Sequence, residues 1–67
     1  MPTLNTKPNI PDPDGFYAEL LSVHEGLEKA ESDALNARLI LILANHIGDR
    51  SVLSSALHEA SRTARDR

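Results

Sequence analysis

The chain has no cysteine, which excludes disulfide staples, thiolate metal sites and a cysteine nucleophile, and fits a reducing compartment. It is poor in positive charge. Seven Lys and Arg stand against ten Asp and Glu, a net charge of −3 at pH 7, whereas nucleic-acid and anionic-membrane binders need clustered cations. It also lacks a long apolar run: the longest, Leu39 to Ala44, is far short of the roughly 18 to 20 residues of a membrane span. The opening MPTLNTKPNI has no apolar core of the secretory type, so the expected location is the cytoplasm. Phosphate-cradling glycine loops are missing, and no serine sits in a nucleophile elbow or beside a suitable histidine base. The acidic set Glu25, Glu28, Glu31 and Asp33 lacks the ligand order of a calcium loop. These absences point away from an enzyme and away from a resident cofactor or metal.

A chain of 67 residues is at most one domain, and chains near this size bury only about 60% of the surface they expose when unfolded. Stability is therefore marginal, and a partner chain is one available source of help.

All four prolines, Pro2, Pro8, Pro11 and Pro13, fall within the first thirteen residues, where they remove backbone donors and disfavour helix in the residues before them. Residues 1–12 are expected to form an extended Pro-rich arm, and residues 13–67 a single helical domain. In DPDGFY, Asp12 suits a helix cap, Pro13 the first helical position, and Asp14 the positive end of the helix dipole. At 100° per residue, Phe16, Leu20, Val23 and Leu27 lie within about 60° of one another, and Tyr17, Leu21 and His24 extend that stripe to one side. The segment EKAESD offers no good cap, so the start of the second helix is loosely placed. Its end is sharper: Gly48 suits a left-handed C-terminal position, and Asp49 suits the cap of a third helix. On that helix Val52, Leu53, Ala56, Leu57, Ala60 and Ala64 share a face. Arg62, Arg65 and Arg67 stand where cations complement the helix C-terminus. The expected fold is an all-α, small three-helix antiparallel bundle with the arm ahead of it.

The second helix carries more apolar surface than one neighbour can cover. Leu35, Leu39, Ile40, Ile42, Leu43 and Ile47 span an arc of about 160°, which Ala37, Leu41 and Ala44 carry onward. Either helices 1 and 3 cover most of this arc, or part of it, with the Tyr17 and Leu21 flank of helix 1, is left for another chain. Tyr17, Leu21 and Leu41, the large side chains furthest from the centres of their stripes, are the candidate partner-binding residues. Two polar residues fall inside the arc, Asn36 and His46, and each needs a hydrogen-bond partner if buried. His46 is expected to be a packed residue satisfied near the helix end, so that His46→Ala lowers stability. A sharper alternative groups Asn45, His46, Asp49 and Arg50 as a polar cluster completing a partner enzyme's active site. A three-histidine zinc site from His24, His46 and His58 is opposed by geometry, since an antiparallel hairpin separates His24 from His46 by roughly 20 Å.

The stretches PNIPDPDGFYAEL and ALNARLILILANHIGD, with the pair Val52 and Leu53, resemble a family of short bacterial proteins of uncharacterised function over about Pro8 to Leu57. The pattern ALNARLxLxLANHIGD is the most specific element. The chain departs from the resemblance at Glu28 to Glu31, where a Thr-Pro-Glu helix start is the commoner form. The resemblance implies no chemistry of its own. Through genes encoded nearby it suggests an accessory subunit of a flavin-dependent aromatic hydroxylase. The expected function is a small helical protein–protein interaction module, an accessory or stabilising subunit of a larger cytoplasmic partner. The alternative is a self-associating structural protein; nucleic acid and membrane are not expected partners.

Overall fold

The computed structural model describes residues 3–65 and shows a small all-α bundle of three helices, with no strand among the described residues. They are α1 (Pro13–His24), α2 (Lys29–Ile47) and α3 (Arg50–Arg65). Residues 3–12 carry neither helix nor strand. Arg67 lies outside the described residues, as do residues 1 and 2 of the expected arm.

Each helix starts on an identifiable device. Asp12 caps α1, accepting from the Gly15 backbone N–H at 3.1 Å, and Pro13 takes the first position, where its missing N–H costs nothing. A Cβ on Gly15 would stand 2.1 Å from Asp12 Oδ2, so a larger residue there displaces the capping carboxylate. The start of α2 is better defined than the sequence suggested: Glu28 N–H donates to Glu31 Oε1 at 3.0 Å, the reciprocal arm of a capping box. α2 ends at Gly48, φ 72°, whose N–H donates to the Ala44 carbonyl at 2.9 Å. Asp49 then caps α3 with one carboxylate oxygen, accepting from Ser51 N–H at 2.9 Å, Ser51 Oγ at 2.7 Å and Val52 N–H at 3.0 Å.

The bundle is open. No described residue is buried, and apart from Leu4 and Asp49 the half-buried ones fall into two groups. One is Leu20 and His24 of α1 with Ser32, Leu35 and Leu39 of α2, linked by the His24–Asn36 hydrogen bond. Ala44 of α2 goes with Val52, Leu53 and Ala56 of α3. At 100° per residue Ala44 lies on the opposite side of α2 from Leu35, so α1 and α3 shelter different sides and build no shared core. The radius of gyration is 13.8 Å, against about 11 Å for a compact domain of this length.

This corrects the first of the two readings of α2's apolar arc. Ile40, Ile42, Leu43 and Ile47 are all exposed, so neither α1 nor α3 covers this part of α2. His46, in the same part of α2, is exposed rather than packed.

Candidate interaction surface

The surface is assembled from two helical stripes that meet at one hydrogen-bonded pair. On α1, Tyr17, Leu21 and His24 lie within about 60°; on α2, Asn36, Ile40, Leu43 and Ile47 do the same. His24 joins them. Its Nδ1 donates to the Leu20 carbonyl at 2.8 Å, and its Nε2 lies 2.9 Å from Asn36 Oδ1. A carbonyl can only accept, so the proton of a neutral ring sits on Nδ1; Nε2 then accepts from Asn36 with that amide turned to present its nitrogen. The Asn36 side chain thus has a partner, and the pair pins the two stripes side by side.

Most of the stripe is uncovered: Tyr17 is 61% exposed, Leu21 52%, Ile40 62% and Ile47 50%. At the N-terminal end of α2 it finishes in the Lys29–Asp33 ion pair, 2.8 Å, which is solvent-exposed. From Leu39 to Ile47 α2 has no charged side chain on any face. An apolar centre with polar ends is the usual anatomy of a protein interface.

Leu41 is 70% exposed but does not share this stripe, lying about 130° around α2 from it. It follows Ala34 and Arg38 along the opposite flank, one turn beyond an open groove of about 380 Å³ between α1 and α2. Val23, Leu27, Glu31, Ala34, Leu35 and Arg38 line that groove. Tyr17 and Leu21 share an exposed stripe of α1 that the His24–Asn36 pair joins to α2's stripe at one end, while Leu41 lies on another flank of α2.

Asn45, His46, Asp49 and Arg50 gather around the α2–α3 turn, but they are not equivalent. Asp49 is committed to capping α3, and the Ser51 hydroxyl, then the Val52 backbone donor, hold its carboxyl below the usual range against the opposing effect of desolvation, with the Ser51 backbone donor adding least. Asn45, His46 and Arg50 are exposed. Among the described residues no group of three or more His, Asp or Glu is placed to hold a metal ion, and no helix is long and apolar enough to cross a membrane.

Residues 4–62 match the family described as Protein of unknown function (DUF2783). The chain belongs to this family. No curated protein and no solved structure matches it. Membership runs from Leu4 through all of α1 and α2, so both flanks of α2 lie inside the family's span.

The exposed α2 stripe itself was not singled out from sequence, because Ile40, Leu43 and Ile47 have the periodicity of a core face. The available signal was the absence of charge from Leu39 to Ile47. That absence leaves the helix almost no solvent face, more than two short helices can cover.

Proposed function

We propose that this chain is a helical protein–protein interaction module that completes its hydrophobic core against another chain, and serves as an accessory or stabilising subunit of a larger cytoplasmic partner. One observation carries the reading. The chain forms three well-capped helices yet buries no described side chain, leaving Phe16, Tyr17, Leu21, Ile40, Ile42, Leu43 and Ile47 open. A patch of that kind is rare on a self-sufficient small protein and common where another chain docks. The mixed groove of α1 and α2, with Glu31 and Arg38 beside Leu35 and Leu27, and with Leu41 beyond it, offers a larger partner apolar anchorage and charged groups that fix register. A flavin-dependent aromatic hydroxylase is the partner suggested by the family resemblance. A direct part in its chemistry is the weaker form of the proposal, since Asp49 is already engaged in capping.

Co-expression with such a hydroxylase tests this. The expected result is co-elution and a rise in the enzyme's melting temperature, since a ligand that binds only the folded state stabilises it. Leu41→Glu should abolish both by forcing an unpaired carboxylate into the contact. An enzyme that neither co-elutes nor gains stability removes the hydroxylase from the proposal; a chain that binds nothing and melts cooperatively as a monomer removes the interaction role itself.

A further inference from the structure

We infer that the first chain to cover this surface is a second copy of the same protein, docked isologously through the Asn36, Ile40, Leu43 and Ile47 stripe of α2 and its Tyr17 and Leu21 extension on α1. This rests on the interaction reading above and names the occupant of one of its two surfaces.

Area is the first argument. The chain exposes 6127 Å², whereas a compact monomer of 7.3 kDa exposes about 4,200 Å². Residues 3–12 hold part of that excess, being exposed apart from a half-buried Leu4. If only half of it, about 1,000 Å² per chain, closes on pairing, the two-chain interface is about 2,000 Å². That is the lower bound of obligate homodimers and more than most transient contacts bury.

Charge is the second argument. In a two-fold interface residue i meets residue j while j meets i, and a residue close to the axis meets its own copy, so a charge near the axis faces its like. Each chain carries a net charge of −3, so a self-contact is least opposed where the facing surfaces add no local like-charge pair. This stripe is neutral: from Asn36 to Ile47, about 17 Å of helix, it presents only an amide and three aliphatic side chains. Its one polar member is already held by His24. The ionic pair Lys29–Asp33 stands beyond it at the rim, where it is internally compensated. The opposite flank carries Glu31 and Arg38 along its groove and is not part of the proposed contact.

The test is sedimentation equilibrium of the purified full chain over a wide concentration range, with circular dichroism on the same samples. The wild type should sediment at twice 7.3 kDa. Leu43→Glu should be monomeric, and Leu41→Glu, the same change on the same helix outside the stripe, should remain dimeric. If Leu43→Glu also loses helicity, Leu43→Ala decides: a dissociation constant raised about tenfold or more with helicity kept supports the stripe, and an unchanged one overturns it. A helical wild type at 7.3 kDa throughout overturns self-pairing while leaving the hydroxylase experiment standing. A dimer indifferent to Leu43→Glu overturns the choice of surface.

Discussion

α2 divides at Leu39 into two parts with opposite fates. Up to that point its two large apolar residues, Leu35 and Leu39, lie half-buried on the side of Leu20 and His24 of α1; beyond it the more apolar part, with Ile40, Ile42, Leu43 and Ile47, stands in solvent. The difference comes from the neighbours, since the half-buried residues of α1 and α2 are Leu20, His24, Ser32, Leu35 and Leu39, and those of α2 and α3 are Ala44, Val52, Leu53 and Ala56. A hydrophobic stripe records that a surface is to be covered, without recording which chain covers it.

The largest contrast is obtained by truncating one side chain in each half. Leu39→Ala should destabilise the fold by about 2 kcal/mol, the lower end of the range for buried leucines because Leu39 is only half covered. Ile42→Ala, one turn further and outside the proposed dimer stripe, should change stability by less than about 0.5 kcal/mol. Denaturant unfolding at a fixed chain concentration measures both, and equal losses at the two positions would mean that α1 covers the whole of α2.

A smaller effect is expected at the boundary between α2 and α3. Gly48 has φ 72°, so Gly48→Ala should cost about 1 kcal/mol, read as a lowered melting temperature with the overall helical signal retained. No loss would place the α2 terminus in a right-handed conformation.

The smallest concerns the Asp49 cap, whose carboxyl is held below its ordinary range in the folded chain. A depressed folded value means that the ionised cap stabilises the fold above about pH 4, where the unfolded carboxyl titrates, and that this contribution disappears as pH falls through the lower folded value. Asp49→Asn keeps an accepting oxygen at every pH, so its acid melting profile should lack that component. Identical acid profiles for the two proteins would show that the carboxylate's charge contributes nothing.

Local structure was legible in the sequence wherever one residue type has one strong use. Asp12 with Pro13 gave the start of α1, and Gly48 with Asp49 gave the α2–α3 boundary, since a left-handed C-terminus and a carboxylate cap each favour few side chains. The start of α2 was harder to read because Glu28 is an uncommon cap residue and the useful signal was Glu31 reaching back to it. The exposure of Ile40, Ile42, Leu43 and Ile47 was not legible at all, since periodicity assigns a face to each residue but says nothing about what covers it. Leu41 shows the same limit. Its distance from the core stripe was readable, and its separation from Tyr17 and Leu21 needed the His24–Asn36 pair to reveal which flank of α2 those residues join.

Hydrogen exchange of the α2 amides in the isolated chain, followed against chain concentration, tests most directly whether the second half of α2 depends on another chain. At low concentration the amides of residues 40–47 should exchange much faster than those near Leu39, and their protection should rise as the concentration is raised. Equal protection of both halves, independent of concentration, would contradict the account.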